Sequence, residues 1–435
     1  MTALLQRQDA LPAPSGAGRD TGIDLVRAGC IVAVVVLHAL MVGVSLDGSA
    51  PVFSNAADGS WWLTPLSWIL QVMPLFFVIG GFAGATAYRA FRLRGGTDAA
   101  FVAARLHRLL VPAVVVIAVA GLSLLALAAA GVPPELIEVA GYRFGQPLWF
   151  LGVFLLCQAL LPALVGAHER APRFAIGALV IAAVAVDAVP LMTGIDGLGF
   201  INLVFVWLSM QQLGFFLADG RIDRLAPRTR IAIAITAFAV LAFSMLTGIH
   251  SPDLIANINP PTTALIMVGV LHTMVLSLLR PRLTEWSTQA PLAAAQRFVN
   301  RRAMTIYLWH MPVLLAGAGA LALLACEHGM PLPTPSSLEW WLTRPFWLAA
   351  VLAVTAMIAV PLAVLESRRP GAGGSPRRVW LAVASGLASV ALLLVSGTTV
   401  LTAGVAVALI ALALGATRTP VRTGSTPSDA ARSRG

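Results

Sequence analysis

Twelve apolar runs, each close to the length of a membrane-spanning helix, follow one another along this chain and leave no stretch long enough for a soluble domain. They occupy residues 24–46, 65–88, 109–130, 147–166, 174–191, 200–218, 230–248, 262–279, 303–325, 346–366, 379–396 and 398–416. About 20 mostly apolar residues suffice to cross a bilayer as a helix. Inside lipid the backbone must satisfy its own hydrogen bonds, so such runs pack as a bundle of helices. The expected fold is therefore all-α, a polytopic transmembrane bundle. Residues 21–366 supply ten core helices, and residues 367–416 form an additional C-terminal membrane segment. Only a tight turn near Ser396-Gly397 separates the last two runs, which make either a helical hairpin or one long irregular segment.

Charge placement supplies the topology. Only 11% of the 435 residues are charged, yet the formal net charge is +10. No basic residue is a lysine, and the arginines fall in alternate connections. One set holds Arg89 to Arg108, Arg170 and Arg173, Arg221 to Arg230, Arg280 to Arg302, and Arg368 to Arg378. The other holds only Arg143 and Arg344. This is the positive-inside pattern, so the basic charge is a topology signal and nucleic acid is not an expected partner. It describes a multi-pass protein of the cell membrane, in contact with lipid, with both termini in the cytoplasm. Residues 1–20 and 417–435 read as disordered cytoplasmic tails. A cleaved signal peptide is not expected, because the first apolar run starts late and is long enough to span. Trp61, Trp62, Trp340 and Trp341 lie in outer connections, where interfacial aromatic anchors belong. Cys30, Cys157 and Cys326 have no metal-ligand spacing, and no metal is expected.

Against this background a few residues are costly. Arg27 and His38 lie in the first run with only apolar residues or glycine between them. Eleven helical steps end roughly 20° past three full turns, so the two side chains share one face, about 16 Å apart along the axis. Intramembrane ionisable groups normally face the bundle interior and mark a site or pathway. Histidine is also well suited to take a proton from a hydroxyl near neutral pH. Each residue has a plainer reading: Arg27 as a positive-inside anchor paired with Asp24, His38 as a hydrogen-bonded packing residue. Arg105 and Arg108, three apart at a helix start, point the same way and suit phosphate groups, or else snorkel to the interface. Gly80 and Gly81, inside the segment Pro74 to Phe82, permit close approach of a helix or a ligand. His310 follows Tyr307 and precedes Pro312, a position that either lines the same cavity as His38 or packs against a neighbouring helix. His272 has no supporting pattern.

Taken in order along the chain, these segments resemble the acyltransferase 3 family of membrane acyltransferases. The first helix has an arginine, ten residues and a histidine (Arg27, His38). A Phe-Phe-x-x-Ser-Gly-Phe-like segment follows in the second (Phe76 to Phe82), then Arg-x-x-Arg before the third (Arg105, Arg108). Leu-Trp-Phe-Leu opens the fourth (Leu148 to Leu151), and Tyr-Leu-x-His comes late (Tyr307 to His310). The resemblance covers roughly residues 20–366. It departs at Gly80, where the family usually has serine, and in the C-terminal segment, since the family is commonly ten-helical. No hydrolase-like domain is attached, which implies a stand-alone acyltransferase.

The resemblance implies an integral membrane O-acyltransferase whose donor is cytoplasmic acetyl-CoA or another acyl-CoA. Its phosphates would lie near Arg27, Arg105 and Arg108. Phe77, Gly81, Trp149 and His310 would complete the donor site. The thioester would reach His38, which either deprotonates the acceptor hydroxyl or briefly carries the acyl group itself. The acceptor is a hydroxyl-bearing small molecule, glycan or lipid. A different class of protein, a proton- or anion-coupled secondary transporter, would also use Arg27 and His38. Against it, the sequence shows no repeat of topology, and Asp187 is the only clear carboxylate within a run.

Overall fold

A computed structural model describes residues 20–48, 50–367 and 374–417. Of the tails read as disordered, residues 1–19 and 418–435 lie outside the described residues, as do Arg368 and Arg369, while Asp20 is ordered at the start of the first helix. The described chain folds as the expected helical bundle. The helices are α1 (Thr21–Met41), α2 (Leu63–Leu70), α3 (Met73–Leu93), α4 (Asp98–Ala129), α5 (Pro134–Gly145), α6 (Leu148–Arg170), α7 (Pro172–Thr193) and α8 (Asn202–Ala218). They continue with α9 (Pro227–Leu246), α10 (Ala264–Ser287), α11 (Ala290–Arg301), α12 (Ala303–His328), α13 (Leu338–Ser367), α14 (Pro376–Val395) and α15 (Val400–Ala416). Eleven helical spans among the described residues are long and apolar enough to cross a membrane, and α15 is a shorter apolar helix of the same kind. The chain is a multi-pass membrane protein.

Local chemistry explains where the elements begin and break. Asp20 caps α1, its carboxylate accepting from the Ile23 amide at 2.9 Å. The first apolar run reads as helix to residue 46, but α1 stops at Met41. Val42–Asp47 (β1) instead pairs antiparallel with Ala50–Asn55 (β2), from Val42↔Asn55 to Asp47↔Ala50. Alternating β-branched and small residues favour the strand, and Gly48, at φ +61°, turns it. The second run is not one helix either. It breaks at Gln71-Val72, just ahead of Pro74, where a proline lacks the amide that a continuous helix needs. The connection before Leu148 contains α5, opened by Pro134 in the first helical turn. The last two runs are two helices, parted at Gly397 (φ +71°) and restarted by a Thr399–Thr402 capping box.

Packing is tightest where glycine replaces a side chain. A Cβ on Gly81 would lie 2.2 Å from the Gln211 carbonyl, and one on Gly214 would lie 2.1 Å from that of Val78. These two glycines let α3 and α8 touch backbone to backbone. α14 and α15 lie against α4 and α6, with Val390, Leu393, Ala406 and Ile410 in the same buried cluster as Leu110 and Leu155.

The two ends of the bundle are held differently. At one end arginines bridge neighbouring helices: Arg89 to Glu169 and Asp219, Arg280 to Asp20 and Asp223, and Arg230 to the Ser277 hydroxyl. At the other end side-chain amides and indoles reach carbonyls, Gln71 to Leu254 at 2.8 Å and Trp68 to Pro252 at 3.1 Å. Of the four tryptophans read as interfacial anchors, Trp61 is exposed. Trp62 and Trp340 are buried and pack with Trp341, ring against ring at 4.9 to 6.1 Å.

Candidate active site

Two cavities lie along α1, one toward each end. The first, about 730 Å³ including its open mouth, sits toward the arginine-rich end. Arg27, Arg105 and Arg108 line it, with Gln158, Asn300, Gly80 and Gly84. Arg27 is held from two sides. Its guanidinium pairs with Asp24 at 2.7 Å and donates to the Asn300 side-chain oxygen at 2.9 Å, while Asn300 donates to the Asp24 carbonyl. The plain reading of Arg27 as a partner of Asp24 is thus correct but incomplete, since the same side chain faces the cavity. Arg105 stacks over Phe101, 4.9 Å from the ring centroid. Among the described residues neither Arg105 nor Arg108 has a carboxylate within ion-pair distance. Three guanidiniums around one cavity, with Asp24 against Arg27, have the chemistry to hold a multiply charged anion.

The second cavity, about 1100 Å³ including its open mouth, lies toward the opposite end. His38, His310, Tyr307, Trp149, Gln71, Gln146 and Asn259 supply its polar and ring groups, and the rest of the wall is aliphatic, methionine or phenylalanine. The two histidine rings meet edge to face, 5.0 Å between centroids. Nδ1 of His38 lies 2.8 Å from the Val34 carbonyl, and Nδ1 of His310 lies 2.5 Å from that of Tyr307. A carbonyl only accepts, so each Nδ1 carries a proton, and Nε2 is the nitrogen of each ring left to accept from a substrate when the ring is neutral. Nε2 of His310 has no partner among the described residues, although the side chain is fully buried. The Tyr307 hydroxyl donates to the Pro147 carbonyl, tying α12 to the start of α6 beside Trp149.

The structure therefore sorts the sequence candidates into two groups. Arg27, Arg105 and Arg108 come together. His38 comes together with His310 and Trp149. Phe77 and Gly81 line neither cavity. Phe77 is buried, 4.5 Å ring to ring from Trp207, and Gly81 serves the α3–α8 contact. The neighbouring face of α3, Phe76, Gly80 and Gly84, is the one at the cavity. Both faces carry a phenylalanine and a glycine four residues on, so spacing alone did not distinguish them. A Cβ on Gly80 would fit against Phe154 Cε2 at 3.4 Å, an ordinary contact, so a small side chain is sterically tolerated at this point of the wall. Asn300 and Gln158 escaped the sequence reading because their roles depend on contacts distant in the chain. His272 lines neither cavity.

The molecule is thus a mainly helical, multi-pass protein in which a cavity lined by three arginines adjoins a cavity lined by two histidines. The family model for the acyltransferase domain of the acyltransferase 3 family matches residues 20–366. The chain belongs to that family and is a membrane acyltransferase, transferring groups other than aminoacyl groups. No curated protein matches the chain, and no solved structure does.

Proposed function

We propose that the enzyme moves an acyl group, acetyl in the simplest case, from acyl-CoA to a hydroxyl of a carbohydrate, glycolipid or secondary-metabolite acceptor. One observation carries the reading: along a single helix, a three-arginine cavity adjoins a cavity whose two histidines each turn Nδ1 to a backbone carbonyl. The arginine-rich end faces the cytoplasm of the cell membrane, and both termini lie on that side. Phosphates of the donor rest on Arg27, Arg105 and Arg108. The acyl arm extends along α1, whose Arg27 and His38 lie about 16 Å apart in rise. Trp149 and the aliphatic wall line the path of the acyl arm beside the thioester.

Nε2 of His38 accepts the proton of the acceptor O–H as the oxygen attacks the thioester carbonyl. The C–S bond breaks, its electron pair goes to sulfur, and the His38 imidazolium returns the proton to the thiolate. The same Nε2 also suits an acyl-histidine step, in which it attacks first and the acceptor takes the acyl group second. His310, 5.0 Å away ring to ring, places a second neutral acceptor beside the reacting hydroxyl.

The test is thiol release by the purified protein supplied with acetyl-CoA and candidate acceptors. Acceptor-dependent release supports the reading. Uptake of solute into liposomes, with no thiol released from acetyl-CoA by any acceptor, would replace it with a transport function. Labelling of single cysteines placed in the arginine-bearing connections, from outside intact cells, tests the sidedness, and any labelling there contradicts it.

A further inference from the structure

The two cavities have one lining residue in common, Phe76. Its ring stands in a small aromatic partition. Phe150 lines the histidine cavity and lies 5.3 Å from Phe76, and Phe154 lines the arginine cavity and lies 6.0 Å away. Phe150 and Phe154 are one turn apart on α6 and stack on each other at 5.4 Å, and Phe150 is braced edge-on by Tyr307 at 4.7 Å. Those two rings are fixed to each other. Phe76 comes from the facing helix and is only half-buried, with open volume on both sides. One turn further along α3, Gly80 has no side chain to block a swing of that ring toward the arginine cavity.

A donor held by its phosphates in the arginine cavity cannot bring its thioester to His38 without passing this partition. We infer that Phe76 is the gate of the acyl arm, an inference that rests on the acyl-CoA reading. Its ring rotates aside when the arm is seated and closes the partition when it is not. Rotamer changes of a ring flanked by open space are fast on the scale of enzyme turnover. In the closed state, water entering the histidine cavity cannot reach a donor whose arm is not yet seated. The reaction so prevented is hydrolysis, in which water adds to the thioester carbonyl, the C–S bond breaks, and a carboxylate and the CoA thiol are released. Phe76 is thus a positioning and gating residue. It sets how far the acyl group advances and how little of it is lost.

The gate can be read without knowing the acceptor. The probe is a short acyl-CoA carrying a diazirine on its acyl chain, photolysed on the full-length protein, with the labelled residues identified by mass spectrometry. Wild-type enzyme is expected to be labelled in the histidine cavity, at Met311 or Trp149. Phe76→Trp is expected to bind CoA as wild type does but to shift the label to Met304 and Leu109 in the arginine cavity, with thiol release falling about a hundredfold, the scale of a misplaced reacting group. Phe76→Ala is expected to raise acceptor-free hydrolysis of acetyl-CoA several-fold, and Phe76→Leu to restore the low wild-type rate. Labelling unchanged in Phe76→Trp overturns the gate. So does parallel loss of CoA binding and labelling in all three variants, which would mark a purely structural residue. Absence of both CoA binding and labelling in wild type overturns the acyl-CoA reading itself, and the gate with it.

Discussion

The arginine cavity and the histidine cavity share a helix and a wall, yet their key side chains are held differently. Each histidine is oriented by its own helix: His38 by the carbonyl four residues back, His310 by the one three residues back. Arg27 is oriented both by Asp24, three residues back on α1, and by Asn300, from a helix far along the chain that is fixed in turn on α1. The histidines are therefore set locally, and Arg27 only in part, its second partner being supplied by assembly of the bundle. Changes to the histidines should alter the chemical step while leaving binding in place. Changes around the arginines should alter affinity first.

The largest effect expected is at His38. His38→Ala should lower kcat by about 10²–10⁴-fold, the usual contribution of a positioned general base. The KM for acetyl-CoA should stay near wild type, because the three arginines are untouched. Thiol release measured across a donor titration separates the two constants. A variant within tenfold of wild type would remove His38 from the chemistry and erase the contrast between the cavities. Next comes His310→Ala. The change also removes the Nδ1 hydrogen bond to the Tyr307 carbonyl and a buried ring, so it should lower the melting temperature as well, and kcat should fall on the order of tenfold, equivalent to about one hydrogen bond. Equal losses at His38 and His310 would instead make the pair a single proton-handling unit.

At the other cavity, Arg105→Ala and Arg108→Ala should each raise the donor KM about tenfold, the scale of one hydrogen bond to a charged group, with kcat nearly unchanged. Arg108, the more exposed of the two, should show the smaller effect and the steeper loss with added salt. A fall in kcat with unchanged KM at either arginine would mean that binding and chemistry are not divided between the cavities.

This division also explains what the sequence disclosed. The bundle was legible because membrane spans are coded by length and hydropathy, residue by residue along the chain. Arg27 and His38 were legible because a charged or titratable group inside an apolar run stands out against its neighbours. Arg105 and Arg108 were found by their spacing. What hydropathy did not reveal was how faces are used. Phe76 and Phe77 are adjacent and alike, and only the position of α8 decides that Phe77 is buried against Trp207 while Phe76 borders both cavities. Asn300 sits in a polar connection that gives no sign of reaching Arg27. The strands β1 and β2 were missed for another reason: Val42 to Leu46 continue the apolar run, and the switch from helix to strand lies in β-branching and a turn glycine rather than in hydropathy.

The smallest expected effect tests whether the arginine-rich end is held by charge as well as by packing. Asp219 joins α3 to the ends of α6 and α8, accepting from Arg89 at 2.7 Å and from His168 at 3.1 Å, with Arg221 nearby at 3.4 Å. Burial alone pushes its carboxyl up, but the hydrogen bonds from His168 and Arg89 and their charges outweigh this and hold it below the ordinary carboxylate value. A carboxyl whose folded value is depressed contributes stability at pH values above its unfolded value, and loses it as pH falls through the folded one. Asp219→Asn should therefore melt a few degrees below wild type in detergent. That gap should be present at about pH 5 and close progressively below about pH 4, as the carboxylate protonates first in the unfolded chain and only at lower pH in the folded one. The donor KM should change little, since Asp219 lines neither cavity. If instead the variant melts with wild type at neutral pH, the arginine bridges at this end are surface decoration, and the long-range assembly that orients Arg27 must come from helix packing alone.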